Sequence, residues 1–280
     1  MQPWFSLPHL AGLVISGPDA LDFCHSQFTA DMRSLQEARW QITTWCNPKG
    51  RVIAVILTAR HESHVEVIAP RAQLGALEKL SMYAIGRTVS IRSDDPVSGT
   101  LTAETNDNSI VNDKTRAMRL GKPAQDPTPE QVRAWRLADL ATPLPWLTAE
   151  TSASFLPQSL AMETNGGLSY TKGCFPGQEI IARVHYLGQA KYHLMGFEFE
   201  LPRPLEQDPE TIQLQSSAVP NESPTIITIS CVPSGNYLVG LAVAPIQIQA
   251  SHPVTASGPD WTLSGQMTAL ERLCYHRIKI

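Results

Sequence analysis

Basic residues are scarce in this 280-residue chain, and charged residues of either sign are few. Lys and Arg number 22 against 26 Asp and Glu, which gives a net charge of −4, and charged residues make up only 17%. A protein that holds nucleic acid through its phosphates usually carries a basic excess. We therefore expect no strong direct binding to nucleic acid. The hydrophobic share of 42% also excludes general disorder, which needs low hydrophobicity with high charge.

Long apolar runs are missing as well. The longest strongly apolar run, residues 52–57, is far shorter than the roughly 20 residues that a membrane-spanning helix needs. The first five residues contain no basic side chain, so they do not resemble a signal peptide. We expect a cytoplasmic protein with no membrane partner.

Paired cysteines are absent too. The five cysteines are odd in number and include no CxxC pair: Cys24, Cys46, Cys174, Cys231 and Cys274. This pattern argues against a disulfide framework and against a self-contained zinc site. It also excludes an iron–sulfur cluster held by this chain alone, because such clusters need several cysteine ligands.

The first part of the chain alternates strand and helix patterns. Residues 9–15 read as a strand, and Asp19 is a plausible N-cap for a helix that runs to Phe28. The runs 40–46 and 51–58 are rich in β-branched and aromatic residues and flank Asn47-Pro48-Lys49-Gly50, which predicts a β-hairpin. A strand at 65–68, a helix at 72–83 and a strand at 88–91 follow. This order predicts an α+β fold with an antiparallel sheet.

The last part of the chain differs in charge and in pattern. Residues 1–195 have no net charge, whereas residues 196–280 hold 4 basic and 8 acidic side chains. The later part shows five short strand patterns separated by Pro and Gly turns, at 196–200, 211–215, 225–232, 237–243 and 261–268. That spacing is typical of a small β-barrel or sandwich. We therefore divide the chain into 1–195 and 196–280.

Residues 166–183 form the segment richest in glycine. Gly166-Gly167 predicts a turn, 168–170 a short strand, and Gln178 onward a helix. Cys174 then lies shortly before a helix N-terminus, where the helix dipole and Lys172 favour a thiolate. The alternative is a small buried apolar cysteine, as most free cysteines are. His185 lies 11 residues beyond Cys174, about three helical turns, so direct activation of the thiol by His185 is not expected.

The same segment carries a family resemblance. The stretch Lys172-Gly173-Cys174-Phe175-Pro176-Gly177-Gln178-Glu179 resembles the KGC[YF]xGQE signature of the YgfZ-type folate-binding, tRNA-modifying proteins, which are relatives of the glycine cleavage T-protein, an aminomethyltransferase. Further similar stretches extend the likeness over most of residues 10–195: 15–20, 27–31, 47–51, 155–158 and 166–167.

The resemblance implies a fold, a cofactor and a set of site residues. The fold would be a three-lobed, T-protein-like arrangement with ferredoxin-like antiparallel sheets and a C-terminal β-barrel, and the cofactor would be tetrahydrofolate or a derivative. The residues with chemical roles would be Cys174 and Lys172. Folate would contact Trp135, Gly173, Gly177, Gln178, Glu179, Arg183, Asp31, Lys49 and Arg51.

Some of these residues also have plainer interpretations. From the sequence alone, the favoured interpretations are a core helix residue for Trp135 and a turn residue after a helix for Asp31. Lys49 and Arg51 can bind an anionic folate tail or can be solvated loop charges.

The implied function is that of a folate-binding accessory factor. It would act in iron–sulfur protein assembly or maintenance and, through partners such as tRNA-thiolating enzymes, in tRNA modification, with Cys174 as the working residue. The alternative is a tetrahydrofolate-dependent aminomethyltransferase or demethylase. Against it stand Leu10 and Ala141, which occupy positions where relatives carry a tryptophan and a glutamate.

Overall fold

The chain forms two compact units. The computed structural model describes residues 4–101, 108–111, 113, 115–121, 125–203, 212–216, 226–258 and 261–270. The first unit comprises Met1–Gln131, Trp146–Gln158 and Met162–Gly188, and the second Val132–Pro145, Ser159–Ala161 and Gln189–Ile280. The second unit thus takes in a stretch well before residue 196. The division into 1–195 and 196–280 stays a prediction.

The first unit contains two antiparallel sheets. Its strands, in chain order, are β1 (Phe5–Ser6), β2 (Leu10–Ser16), β3 (Trp40–Cys46), β4 (Val52–Arg60), β5 (His64–Pro70), β6 (Ser90–Asp95), β7 (Val97–Thr100) and β8 (Ala117–Leu120). The larger sheet has the order β3-β4-β5-β2-β6, and the smaller has the order β1-β7-β8. The predicted hairpin is β3 and β4, paired from Trp40 with Ala59 to Cys46 with Val52.

The helices of the first unit depart from the predictions in detail. Helix α1 (Ala20–Gln27) begins after Asp19, whose carboxylate accepts a hydrogen bond from the Thr88 backbone at 2.7 Å instead of capping the helix. The helix predicted over 72–83 is broken into one short α-helix, α2 (Leu74–Leu77), between two 3-10 segments, Arg71–Gln73 and Glu78–Tyr83. Gly75 sits inside this stretch and weakens a regular helix there.

Apolar side chains of the larger sheet and α1 make the core of the first unit. The alternation of strand residues sends one set of side chains toward the helices. The fully enclosed members of this core include Leu13, Ile15, Phe23, Phe28, Ile56, Val67, Leu77 and Leu80. The C-terminal end of α1 is thereby fixed against the sheet, next to the segment that holds Cys174.

The glycine-rich segment is more irregular than predicted. The predicted strand at 168–170 is wrong, because these residues join no sheet. A backbone bond from Ser169 N–H to the Thr29 carbonyl, 2.9 Å, and a bond from the Thr29 hydroxyl to the Gly167 carbonyl, 2.6 Å, hold the segment instead. The predicted helix is confirmed as α4 (Gln178–Leu187).

The second unit is dominated by a six-stranded antiparallel sheet. Its order is β10-β13-β14-β9-β12-β11, and a bridge between Leu214 and Ile226 brings the two edge strands together, so the sheet curls on itself. The strands are β9 (Tyr192–Glu200), β10 (Gln213–Gln215), β11 (Ile227–Ser234), β12 (Tyr237–Pro245), β13 (Pro253–Ser257) and β14 (Thr262–Thr268). The predicted α+β class with antiparallel sheets and a C-terminal barrel-like sheet is confirmed.

One further helix, α3 (Pro129–Ala141), lies mainly in the second unit. Among the described residues, no helix has the length and apolar character that crossing a membrane requires.

Candidate functional site

The loop that carries Cys174 packs against the β3–β4 hairpin turn. Gly177, which precedes α4, has φ +79°, and a Cβ atom on it would lie 2.4 Å from the Gly50 Cα atom. Gly50 also has positive φ, +71°. No other residue type allows two backbones to approach this closely with both in the left-handed region. The two glycines therefore fix the position of the loop relative to the hairpin.

The hairpin turn is itself rigid. The Asn47 side-chain oxygen accepts hydrogen bonds from the backbone N–H groups of Lys49, at 2.9 Å, and Arg51, at 3.0 Å. The Arg51 guanidinium donates to the Ser154 carbonyl at 3.0 Å. The side chains of Lys49 and Arg51 are exposed, so two cations stand on an ordered turn beside Gly177.

Lys172 joins the cysteine loop to the end of α1. Its buried ammonium group donates to the carbonyls of His25, Phe28 and Ala30, the last at 3.0 Å. Carbonyls at a helix C-terminus lack partners within the helix and carry partial negative charge. The lysine satisfies them from a distant part of the sequence. Burial lowers the pKa of Lys172 to about 8.

Cys174 opens onto a cavity of about 470 Å³. Its side chain is exposed, whereas the other free cysteines of the described residues are buried. Cys274 lies outside the described residues. The cavity is lined mainly by polar and charged residues of α1 and its surroundings: Asp19, Asp22, His25, Ser26, Arg33, Arg87, Gly173 and Cys174.

His25 is the titratable group of this cavity that lies deepest in the protein. Only 8% of the residue is exposed. Its Nδ1 atom lies 3.2 Å from the Asp31 carboxylate, and its Nε2 atom lies 3.8 Å from where a Cβ atom on Gly173 would be. Burial, followed by the nearby Lys172 and Arg33 charges, lowers the pKa of His25. Burial and the two cations thus favour the neutral imidazole, which is a weaker base than that of an ordinary histidine.

The cavity mouth carries charges of both signs. Arg33 forms an exposed ion pair with Asp22 at 2.9 Å. The Arg87 guanidinium lies 5.8 Å from the centre of the Phe23 ring. An exposed ion pair of this kind contributes little to stability, so these groups remain available to a charged ligand.

Comparison with known proteins follows this geometry. No protein-family model matches the chain. It is 26% identical over 238 residues to the tRNA-modifying protein YgfZ of Colwellia psychrerythraea, which covers 72% of this chain and 73% of that protein. It is 25% identical over 277 residues to the protein of the same name from Pectobacterium carotovorum, covering 84% and 81%. The chain is thus similar to several proteins named tRNA-modifying protein YgfZ.

One solved structure shares the fold of this chain. The crystal structure of the glycine cleavage system aminomethyltransferase T from Bartonella henselae superposes with a TM-score of 0.71, covering 99% of this chain and 87% of that one. The two sequences are 12% identical, so the likeness concerns the fold alone.

The structure brings together part of the residue set that the resemblance implies. His25 links two parts of this set: it lies beside Asp31 on one side and beside Lys172 and Gly173 on the other. Gly177 packs against the hairpin turn that carries Lys49 and Arg51. Gln178, Glu179 and Arg183 belong to α4, the last two with exposed side chains. Trp135 belongs to α3 in the second unit and is 1% exposed.

Two histidines, His185 and His25, differ in their position relative to the cysteine loop. His185, on the last turn of α4, pairs with Glu163 at 3.0 Å and stacks on Tyr170, with ring centres 3.8 Å apart. His25, in contrast, was missed by sequence reasoning, because 149 residues separate it from Cys174. The one available signal was its position in α1 shortly before Asp31, within the stretch that leads into the family-like residues 27–31.

Proposed function

We propose that this chain is an accessory factor in tRNA modification that acts through iron–sulfur proteins, with the Cys174 thiol as its working group. The relatives named tRNA-modifying protein YgfZ support the first part of the proposal. The single observation that carries the second part is the exposed thiol on a loop fixed by Lys172 and Gly177, at a cavity that also contains His25.

The chemistry we propose starts with a proton transfer. Cys174 gives its proton to the neutral His25, which passes the proton on to water in the open cavity and leaves a thiolate, because burial and the Lys172 and Arg33 charges disfavour a lasting imidazolium. The Asp31 carboxylate lies 3.2 Å from Nδ1 and favours the positive charge while His25 carries the proton. A thiolate is the form of cysteine that binds iron or attacks sulfur. With no cysteine partner in the loop, Cys174 would act as one transient ligand or thiol carrier.

The test is complementation of a deletion strain, read as the thiolated nucleosides in its tRNA. Cys174→Ala should fail to restore them, and His25→Gln should restore them only in part. Thr171→Ala, an exposed neighbour in the same loop, is the matched control and should restore them fully. Full restoration by Cys174→Ala would overturn the proposal.

Tetrahydrofolate or a derivative is the ligand that the family resemblance implies. The exposed cations of Lys49 and Arg51 fit its anionic tail. Trp135 does not fit a pterin-lining role in this structure, because an indole that is 1% exposed offers no open face. No step of the chemistry above depends on folate. Calorimetric titration with tetrahydrofolate should show binding that weakens in the Lys49→Ala/Arg51→Ala variant, with Trp135→Ala as the comparison.

The aminomethyltransferase alternative is favoured by the fold shared with aminomethyltransferase T. It requires an acid that positions or protonates the folate, and Ala141 occupies the position where that acid is expected. Turnover of an aminomethyl donor by the purified chain, in the presence of tetrahydrofolate, would decide for the enzyme over the accessory factor.

A further inference from the structure

Two histidines and a glutamate meet at the turn between β4 and β5, away from the cysteine loop. His61 follows the last residue of β4, and His64 begins β5. Glu66 lies two residues further along β5, on the same face as His64, because successive strand side chains alternate. The turn is closed by a bond from the His61 N–H to the His64 carbonyl at 2.9 Å. The hairpin therefore directs all three side chains to one place.

The approach of these side chains is unlike ordinary hydrogen bonding. The His61 Nε2 atom lies 3.3 Å from one Glu66 oxygen, and the His64 Nε2 atom lies 3.6 Å from the other. Within the described residues, His61 Nε2 is buried and makes no hydrogen bond, and 3.6 Å is too long for one. The two rings stack nearly parallel, 9° apart, with centres separated by 4.5 Å. Both Nε2 atoms face a single carboxylate without donating to it, and one ring has to turn out of the stack for both in-plane lone pairs to reach one ion.

These separations match the edges of a metal coordination shell. A tetrahedral zinc ion with bonds of about 2.0–2.1 Å places its ligand atoms about 3.3–3.4 Å apart. The two nitrogen–oxygen distances, 3.3 and 3.6 Å, are close to that value, and all three candidate ligand atoms lie within 4.8 Å of one another. Glu66 is 17% exposed in its side chain, so its charge is largely withdrawn from water and gains from a cation.

We propose that His61, His64 and Glu66 bind a divalent transition-metal ion of the zinc class, with one coordination position left open. Two imidazoles and one carboxylate form a ligand set that zinc uses when it keeps a fourth position for water or a small ligand. Both histidines also line a cavity of about 390 Å³, which gives the open position room. The site is separate from Cys174 and does not depend on the proposed function.

One cation lies close to the site. Arg60 lines the same cavity and directly precedes His61, and its charge opposes a bound metal ion. However, its guanidinium donates to the Arg33 carbonyl at 3.0 Å, which ties it to a different segment. Glu62, in the same turn and the same cavity, supplies a compensating negative charge.

The test is zinc binding by the chain without any added histidine tag, in the Cys174→Ala background so that the exposed thiol does not compete. Competition against a chromophoric chelator should reveal one bound zinc ion. His61→Gln and His64→Gln should each weaken binding at least about 10-fold. His185→Gln is the matched control, because His185 also pairs with a glutamate but has no second histidine in that pair, and it should leave zinc affinity unchanged.

A second measurement, the melting temperature, distinguishes a loss of zinc binding from a failure to fold. The metal-free melting temperature of each variant should stay near that of the parent, and zinc should raise the melting temperature only where His61, His64 and Glu66 are intact. Glu66→Gln should lose most of this rise. Equal zinc affinity in His61→Gln and its parent, or no binding by the parent, would overturn the proposal.

Discussion

The first unit and the C-terminal six-stranded sheet bury different kinds of side chain. In the first unit, the buried polar and charged residues are His25, Gln27, Thr29, Thr43, Thr44, Thr58, Gln73, Ser98, Thr100, Ser109, Asp113, Arg116 and Lys172. In the strands after Gly188, the described residues include no buried polar or charged side chain. The core of the second sheet is apolar, with Phe197, Phe199, Leu238 and Met267 among its members.

Buried polar groups and a purely apolar core have different structural roles. Burying a polar group is unfavourable unless it is hydrogen-bonded, so such groups are found where a particular geometry is needed. Some of those in the first unit hold the segment that leads into the cysteine loop: Thr29 bonds the Gly167 carbonyl, and Lys172 bonds three carbonyls. The core of the six-stranded sheet excludes water through apolar packing alone.

The largest expected effect lies in the second unit. Phe197→Ala removes a fully enclosed ring that packs on Phe199 at 5.6 Å between centres, and should cost about 4 kcal/mol of unfolding free energy in denaturant titrations. If the two interiors serve different purposes, the rate at which a thiol reagent modifies Cys174 in the native protein should not change. A Cys274→Ser background isolates that rate. If Phe197→Ala both lowered the unfolding free energy and changed the rate of Cys174 modification, the two interiors would not be independent.

Two glycines with positive φ provide a matched pair across the units. Gly177→Ala should cost about 3 kcal/mol, because the new methyl group meets the Gly50 backbone at 2.4 Å in addition to the left-handed strain. Gly235→Ala, in the β11–β12 turn, has φ +58° but nothing within 4 Å, so it should cost only about 1 kcal/mol. Thermal and denaturant unfolding measure both. Equal costs would show that the loop contact with the hairpin contributes nothing.

Lys172→Met should destabilise the protein by about 3 kcal/mol, because three carbonyls near the end of α1 lose their donor. Lys191→Met, an exposed lysine of the second unit, is the control and should change stability by less than about 0.5 kcal/mol. Denaturant unfolding of the two variants beside the parent supplies the numbers. If both substitutions were equally tolerated, the lysine would not hold the loop.

The same lysine predicts a pH dependence. With the folded pKa at about 8 and the ordinary value 10.5, the unfolded chain binds more protons than the folded chain between these limits. The Lys172 contribution to unfolding free energy therefore rises with pH in that window, by about 2 kcal/mol from pH 8 to 9.5. The difference in unfolding free energy between the parent and Lys172→Met, measured at each pH, isolates the Lys172 contribution. A difference that stays flat or falls with pH would contradict the lowered pKa.

The smallest stability effect should come from the working residue itself. Cys174→Ala changes an exposed side chain and should alter unfolding free energy by less than about 0.5 kcal/mol. Cys24→Ala, at a fully buried position, should cost about 1 kcal/mol. Calorimetric melting distinguishes the two. A large cost for Cys174→Ala would indicate a packing role for that thiol.

Local patterns in the sequence were enough for much of the fold. Alternation and turn chemistry predicted the β3–β4 hairpin around Asn47 and Gly50, and the apolar face of α4 predicted that helix. Strand β13 was missed because Pro253 opens it and it is only five residues long, so its pattern is weak. The strand predicted at 168–170 failed because its bonding groups pair with Thr29, which no local pattern can reveal.

Only the site residues within the family-like stretches could be predicted from the sequence. Cys174 and its glycines follow from one continuous stretch, but their partners come from distant parts of the chain. Sequence spacing suggested that Lys172 supports a thiolate, whereas its ammonium group is bonded to three carbonyls near the end of α1. His25 and the convergence of His61, His64 and Glu66 depend on three-dimensional placement, which residue types alone do not define.

The bond from Lys172 to the Ala30 carbonyl spans 142 positions of sequence, and this separation sets an order of events during synthesis. At about 5–20 residues per second, the ribosome adds Lys172 roughly 7–30 seconds after Ala30. Until then the end of α1 lacks the donor that completes it. A nascent chain interrupted before residue 172 therefore exposes an unfinished helix end, and chaperones have a defined interval in which to protect it.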